Sequence, residues 1–324
     1  TNDTLQAISR EIAPLSAKHR DDINLNDTLF MKVKSVYENR DKFMLTEEEK
    51  MVLEDTYKGF VRSGAALSAE DKGKLRKINE ELSLLSVQFG QNLLAETNAF
   101  KLIIDRREDL AGLPDGVIEQ AATLAKSMDL DGKWVFTIQY PIMEPFLKYA
   151  ENRDLREKLF TAYFMKGDND NERDNKSIIA RIAKLRLERS KILGYKTYAD
   201  YGLERSMAKT PERVMDFLGQ VWNAAIPVAK AEAEAQQEII KREGGKFKLE
   251  PWDWWYYTEK IKKEKYALDD EITRPYFKID NVIEGMFYVA NRLYNLTFKV
   301  RNDIPKYHPD VITYEVTRDG KHIG

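Results

Sequence analysis

Apolar positions recur at helical spacing along most of this chain, and several of the resulting helices carry their own start signals. Thr46 with Glu49 three residues on, and Ser68 with Asp71, both fit capping boxes. After the second, Leu75, Ile78, Leu82, Leu85, Phe89 and Leu93 fall three and four apart, one stripe of a long helix with polar remaining faces. Ile178, Ile182, Leu185 and Leu187 mark another helix, which Gly194 should end in a left-handed cap. Thr210-Pro211 places a good cap before a proline at the first helical position, and the helix it starts should run past Trp222 toward Gly244-Gly245.

Period-two patterns are few. Lys133 to Tyr140 alternates, with Trp134, Phe136, Ile138 and Tyr140 on one face and Pro141 closing it. Lys101–Ile104, Phe298–Arg301 and Val311–Val316 are shorter strand candidates. Asp319-Gly320 is a strong hairpin-turn dipeptide, but only four residues follow it. That reads as an incomplete hairpin at a truncated end. No fixed-period repeat or low-complexity linker interrupts the chain. The expectation is a mainly α fold with a few short strands. Gly112 and Pro114, between Arg106 and Asp115, suggest a break between an N-terminal helical lobe (1–105) and a second helical lobe (106–324).

Composition narrows the chemistry. The 324 residues are 43% apolar and 33% charged, enough for a large core without cross-links. The formal charge of −2 supplies no field for nucleic acid or an anionic membrane, and no apolar run approaches a membrane span. Lys260, Lys262, Lys263 and Lys265 are interrupted by Glu259 and Glu264, which reads as a solvated helix face. With no cysteine, thiol nucleophiles, disulfides and thiolate metal sites are excluded from these residues, and the compartment, cytoplasm or periplasm, stays open. His19, His308 and His322 are scattered, and none has the Glu neighbour and second His four residues on that would place two imidazoles on one helical face for zinc. Nucleophile elbows and phosphate-binding glycine loops are missing. Acid pairs such as Asp269-Asp270 and Glu80-Glu81 are expected by chance among 54 acids. No catalytic or metal-ligating residue is assigned in this segment.

One stretch is unusual: Pro251-Trp252-Asp253-Trp254-Trp255-Tyr256-Tyr257 packs five aromatics into seven residues. Asp253 could cap the helix that follows, with Trp252 and Tyr256 one turn apart. The favoured reading is a structural aromatic anchor of Trp252, Asp253, Tyr256 and Tyr257. The alternative is a peptide- or sugar-contacting wall with exposed rings.

The run PWDWWYYTEKIKKEKYALDDEITRPYF, from Pro251 to Phe277, resembles a signature of the thimet oligopeptidase-like zinc metallopeptidases. The resemblance is closest to the bacterial peptidyl-dipeptidases, also called dipeptidyl carboxypeptidases. It continues through Gly285-Met286-Phe287 and Arg292-Leu293-Tyr294 into Tyr307-His308-Pro309-Asp310-Val311, and upstream through Leu185–Leu218 and Phe60–Phe100. The sibling oligopeptidase A shares the PWD and HPDV elements. The resemblance implies a helical, two-lobed fold around a deep channel. It also implies one zinc held by a HExxH helix and a Glu on a later helix, and release of dipeptides from the C-terminus of oligopeptides. Those metal and catalytic positions follow the HPDV element in the family and find no counterpart up to Gly324. This segment is therefore expected to form a cleft wall, to bind no zinc itself, and to act with the catalytic part of the same chain. Tyr307 and His308 are its substrate-cleft candidates. For His308 the favoured role is structural, donating to a carbonyl to shape the turn. A non-catalytic helical protein that binds extended peptides suits the composition equally well.

Overall fold

The computed structural model describes residues 2–267 and 270–324. Its contacts divide the chain into two units, Thr1–Tyr257 and Thr258–Gly324. The fold is mainly α, as the spacing of apolar residues implies.

The first unit opens with α1 (Asp3–Asn24), α2 (Asp27–Glu38), α3 (Glu47–Ser63) and α4 (Ala69–Ala99). Thr46 and Glu49 form the reciprocal box that starts α3. At α4 the box is half made: the Asp71 N–H donates to Ser68 Oγ, but the Asp71 carboxylate returns to the Ser68 hydroxyl, not to its backbone. Leu75 and Ile78 on the α4 stripe are buried, whereas Leu82, Leu85, Phe89 and Leu93 are half-buried.

The core forms next, around β1 (Leu102–Ile104), α5 (Asp115–Lys126), β2 (Trp134–Phe136), α6 (Tyr140–Tyr149) and α7 (Arg153–Phe164). Strands β1 and β2 pair antiparallel, Leu102 opposite Phe136. The second strand is shorter than the alternation suggests. Gln139 turns extended and Pro141 sits at the start of α6, so Tyr140 is a half-exposed helical residue and no longer a strand position. Val135 is as buried as Phe136, although Ile103, its partner across the strand pair, is exposed, so the second face of this small sheet is covered only on the β2 side. Leu110 and Leu113, in the region where the sequence suggested an inter-lobe break, belong to this core. Gly112 between them has φ +83°, and a Cβ there would meet the Tyr149 carbonyl oxygen at 2.2 Å.

Helix α8 (Lys176–Ile192) ends before Gly194, whose φ is +85°, and α9 (Tyr198–Leu203) is short. Helix α10 (Pro211–Arg242) starts on the Thr210 cap as expected and buries Gln236, Ile239 and Ile240 near its C-terminus. A 3-10 turn at Pro251–Asp253 leads into α11 (Trp254–Tyr266), within which the division between units falls.

The second unit continues with α12 (Asp270–Thr273), α13 (Ile279–Tyr294), β3 (Leu296–Arg301), β4 (Thr313–Arg318) and β5 (Lys321–His322). Strand β4 begins at Thr313, two residues later than expected, because the Val311 N–H is turned back to the His308 carbonyl. The residues after Gly320 begin a return strand of two residues, Lys321 and His322, which pair with the six-residue β4. Asp319 and Gly320 both take positive φ, and Thr317 lies opposite His322. The Phe287 ring of α13 stacks on Phe298 of β3, with centroids 4.2 Å apart. The Asp269-Asp270 pair lies outside the fully described residues.

Candidate functional site

The aromatic run is organised by a buried charge. Asp253 is fully buried and accepts from Arg153 Nε (3.0 Å) and Nη2 (2.8 Å), from Arg156 Nη2 (2.9 Å) and from the Glu250 N–H (3.1 Å). It is therefore not a free cap for α11 but the acceptor that fastens the 3-10 turn to α7. Two arginines three apart on a helix share one face, which is why both reach it. Arg156 also donates to the carbonyls of Ala150 and Glu151, which anchors the chain entering α7. The rings close the cluster: the Arg153 guanidinium lies 4.3 Å from the Phe247 centroid and 5.4 Å from Trp252, and Arg156 lies 4.2 Å from Tyr256. Tyr257 is buried, while Trp252, Trp254, Trp255 and Tyr256 are half-buried. None is an exposed platform, so the exposed-ring surface required for a sugar is not built here.

The two other sequence candidates belong to the second unit. Tyr307 is almost wholly exposed, at 94%. His308 Nδ1 accepts from the Asp310 N–H at 3.3 Å, while the His308 carbonyl accepts from Val311. The imidazole thus shapes its turn by accepting, where donation to a carbonyl was expected. The Asp310 carboxylate lies 3.6 Å from the same nitrogen. The loop presents the Tyr307 hydroxyl and a mostly exposed His308 imidazole.

A second buried acid escaped the sequence reading. Glu96 accepts from the Gly167 N–H (2.5 Å), Asn169 Nδ2 (2.9 Å) and Asn171 Nδ2 (2.8 Å), which ties the 165–175 loop to α4. Burial pushes its pKa up, but these three donors outweigh burial and hold the carboxyl below its ordinary value. A signal existed, since Glu96 falls three residues after Leu93 on the apolar stripe of α4, where a charge demands a partner. The Asp253–Arg156 pairing had none, because the partners are 97 residues apart. At the loop's far end, Lys176 Nζ donates to Asp168 (2.6 Å) and Asp174 (2.7 Å) and lies 2.9 Å from Asp170, which raises its pKa. Beside Glu96 lies an open cavity of about 990 Å³, floored by Phe100, Leu102 and Ile138 and edged by Lys101, Glu157 and Lys158.

Among the described residues, no group of three His, Asp or Glu side chains could hold a metal ion. His19 is exposed, and His322 lies 3.2 Å from Glu315 on the neighbouring strand. These residues do not fit a zinc site. Among the described helices, none is long and apolar enough to cross a membrane.

Comparison with known proteins gives this geometry a context. The sequence profile of peptidase family M3 matches residues 146–324, more than half of the chain. The chain belongs to peptidase family M3. The match contains Arg153, Arg156, Asp253 and the Tyr307-His308 loop. Over 317 residues, 98% of its length, this M3 chain is 35% identical to the dipeptidyl carboxypeptidase of Escherichia coli (strain K12), of which it covers 46%. It is 37% identical over 322 residues to the dipeptidyl carboxypeptidase of Salmonella typhimurium, covering 47%. It is 34% identical over 272 residues to oligopeptidase A of Haemophilus influenzae, covering 40%. The chain thus spans about half the length of the curated relatives it matches.

Proposed function

We propose that this chain is part of a zinc metallopeptidase that releases dipeptides from the C-terminus of oligopeptides, and that it forms a wall of the substrate cleft without hydrolysing peptides alone. The observation that carries the reading is the 35% and 37% identity to two dipeptidyl carboxypeptidases over 98% of the chain. Zinc, when bound in such an enzyme, polarises the scissile carbonyl and lowers the pKa of a water. Its ligands would come from residues this chain does not supply. What this chain contributes is support and orientation. The Asp253 cluster fixes the start of α11 against α7. The exposed Tyr307-His308 loop offers a hydroxyl and an imidazole that can hydrogen-bond a substrate carbonyl or carboxylate oxygen.

The test compares this chain with the same chain continued to the relatives' length, each given zinc and an N-blocked tetrapeptide, with products read by mass spectrometry. Release of a C-terminal dipeptide by the longer chain alone supports the proposal. Cleavage by the 324-residue chain itself refutes the cleft-wall assignment. The 34% identity to oligopeptidase A supports a second reading, an endopeptidase. A C-terminally amidated substrate separates the two: an endopeptidase cuts it as readily as the free acid, whereas a dipeptidyl carboxypeptidase loses the carboxylate it reads.

A further inference from the structure

Helix α10 contains a segment whose composition contradicts its exposure. From Phe217 to Ala229 there are thirteen consecutive residues without a charge, in a chain that is one-third charged. The only side chains in this segment with hydrogen-bonding groups besides the Trp222 indole are Gln220 and Asn223, so the helix is apolar around most of its circumference. A helix of this kind belongs in a protein interior, and an apolar run of this length is typical of a buried core helix. Yet all but Gly219 and Ile226 are exposed, with Phe217 at 64%, Trp222 at 65% and Val228 at 57%. The root of the same helix is different, since Gln236, Ile239 and Ile240 are buried. About 20 Å of helix therefore extends from its buried root with large apolar side chains in solvent. This far exceeds the scattered apolar residues of an ordinary surface.

We propose that Phe217–Ala229 is a core helix of the complete M3 fold, packed on more than one side by the portion of that fold which this chain does not span. The occupant follows from two observations. The relatives are about twice as long as this chain, so a second body of comparable size is available to cover it. The uncharged circumference demands burial on several sides, which a two-fold contact between single helix faces would not provide. The proposal rests on the peptidase reading and adds an interface to it.

The absence of cysteine from the chain makes the test clean. Val221→Cys and Ala225→Cys are introduced singly, with Lys77→Cys on the exposed face of α4 as a control. Thiol labelling rates are measured in the 324-residue chain and in the chain continued to the relatives' length. Circular dichroism verifies that each variant folds, and the second position serves if the first does not. The expected result is rapid labelling of both sites in the 324-residue chain, a fall of at least about tenfold in the longer one, and no change at the α4 control position. Equal labelling in the two chains overturns the proposal. Protection already present in the 324-residue chain also overturns it: a concentration-dependent rate identifies a second copy as the cover, and a concentration-independent one identifies cover from within this chain. Peptidase assays on the same preparations keep the two readings separate. Protection without dipeptide release leaves the interface standing and removes the activity. Release without protection does the reverse.

Discussion

Replacing Asp253 by alanine removes a buried anion that faces two arginines, and the structure sets the size of the effect. Asp253 is 0% exposed and the Arg156 side chain 2%, so the pair is out of water, whereas Arg153 is 27% exposed. Breaking a buried ion pair from one side costs about 3–5 kcal/mol, because the remaining charge keeps its desolvation penalty and loses its partner. Surface pairs are worth about 0–1 kcal/mol. Arg156 would retain its two carbonyl acceptors and the Tyr256 ring, and the Glu250 N–H would lose its carboxylate. Asp253→Ala should therefore destabilise by about 3–5 kcal/mol. At about 2–4 °C per kcal/mol that lowers Tm by about 6–20 °C. Asp253→Asn, which keeps the shape and one acceptor but loses the charge, should fall between the parent and the alanine variant. Arg156→Ala should cost more than Arg153→Ala, since water can partly replace the second arginine. Urea titrations followed by circular dichroism give all four values. A loss below about 1 kcal/mol for Asp253→Ala, or Arg153 outranking Arg156, would refute the assignment of this cluster as a buried clamp.

Three further outcomes follow from other parts of the first unit. Gly112→Ala should destabilise strongly, because its φ of +83° and the 2.2 Å approach to the Tyr149 carbonyl admit no Cβ; thermal unfolding reads it directly. Leu159→Ala, at a fully buried core position, should cost about 2–5 kcal/mol in the same measurement, and a smaller value would mean the core closes over the cavity. Glu96→Gln should loosen the 165–175 loop, seen as faster proteolysis there. It should also flatten the acid limb of stability: a depressed carboxyl pKa stabilises fully above the ordinary value of about 4.3 and is lost as pH falls through the lower folded value. An unchanged limb between about pH 3 and 5 would count against Glu96 as the titrating group.

Local signals were the legible part of this fold. The Thr46 box, the Thr210-Pro211 start, the Gly194 stop and the Asp319-Gly320 turn each depend on residues within one turn of one another, and each stands in the structure. The alternation from Lys133 to Tyr140 misled because proline at a helix start and proline after a strand look alike in sequence; burial of Val135 on the opposite face was equally invisible. The Asp253 cluster was half legible. Its aromatics announced themselves by density, but Arg153 and Arg156 resemble any charged pair on an amphipathic helix until the chain brings them to Asp253. Likewise, Phe217–Ala229 differs from an ordinary helix in its lack of charge and in the internal Pro227, and that lack of charge gains meaning only beside its exposure.

The directions of the pKa shifts bear on where chemistry can reside. A group that transfers protons at neutral pH needs a pKa brought toward neutrality and an open face toward substrate. In this chain the well-partnered groups move the other way. Glu96 is held low by three donors, Lys176 is held high by aspartates, Arg153 is held high by Asp253, and Asp303 falls to about 2 beside Arg301. Each keeps its charge and spends hydrogen-bonding capacity on partners within the chain. Asp21 is raised by burial, but Asn79 donates to both of its oxygens and fastens α1 to α4. These are arrangements that hold helices in place. The His308 turn differs in kind, because its internal hydrogen bond uses Nδ1 of a mostly exposed ring and the preceding Tyr307 side chain is exposed. These internal partnerships support the proposed role of this chain in holding and orienting a peptide, with bond cleavage assigned to other groups of the complete enzyme.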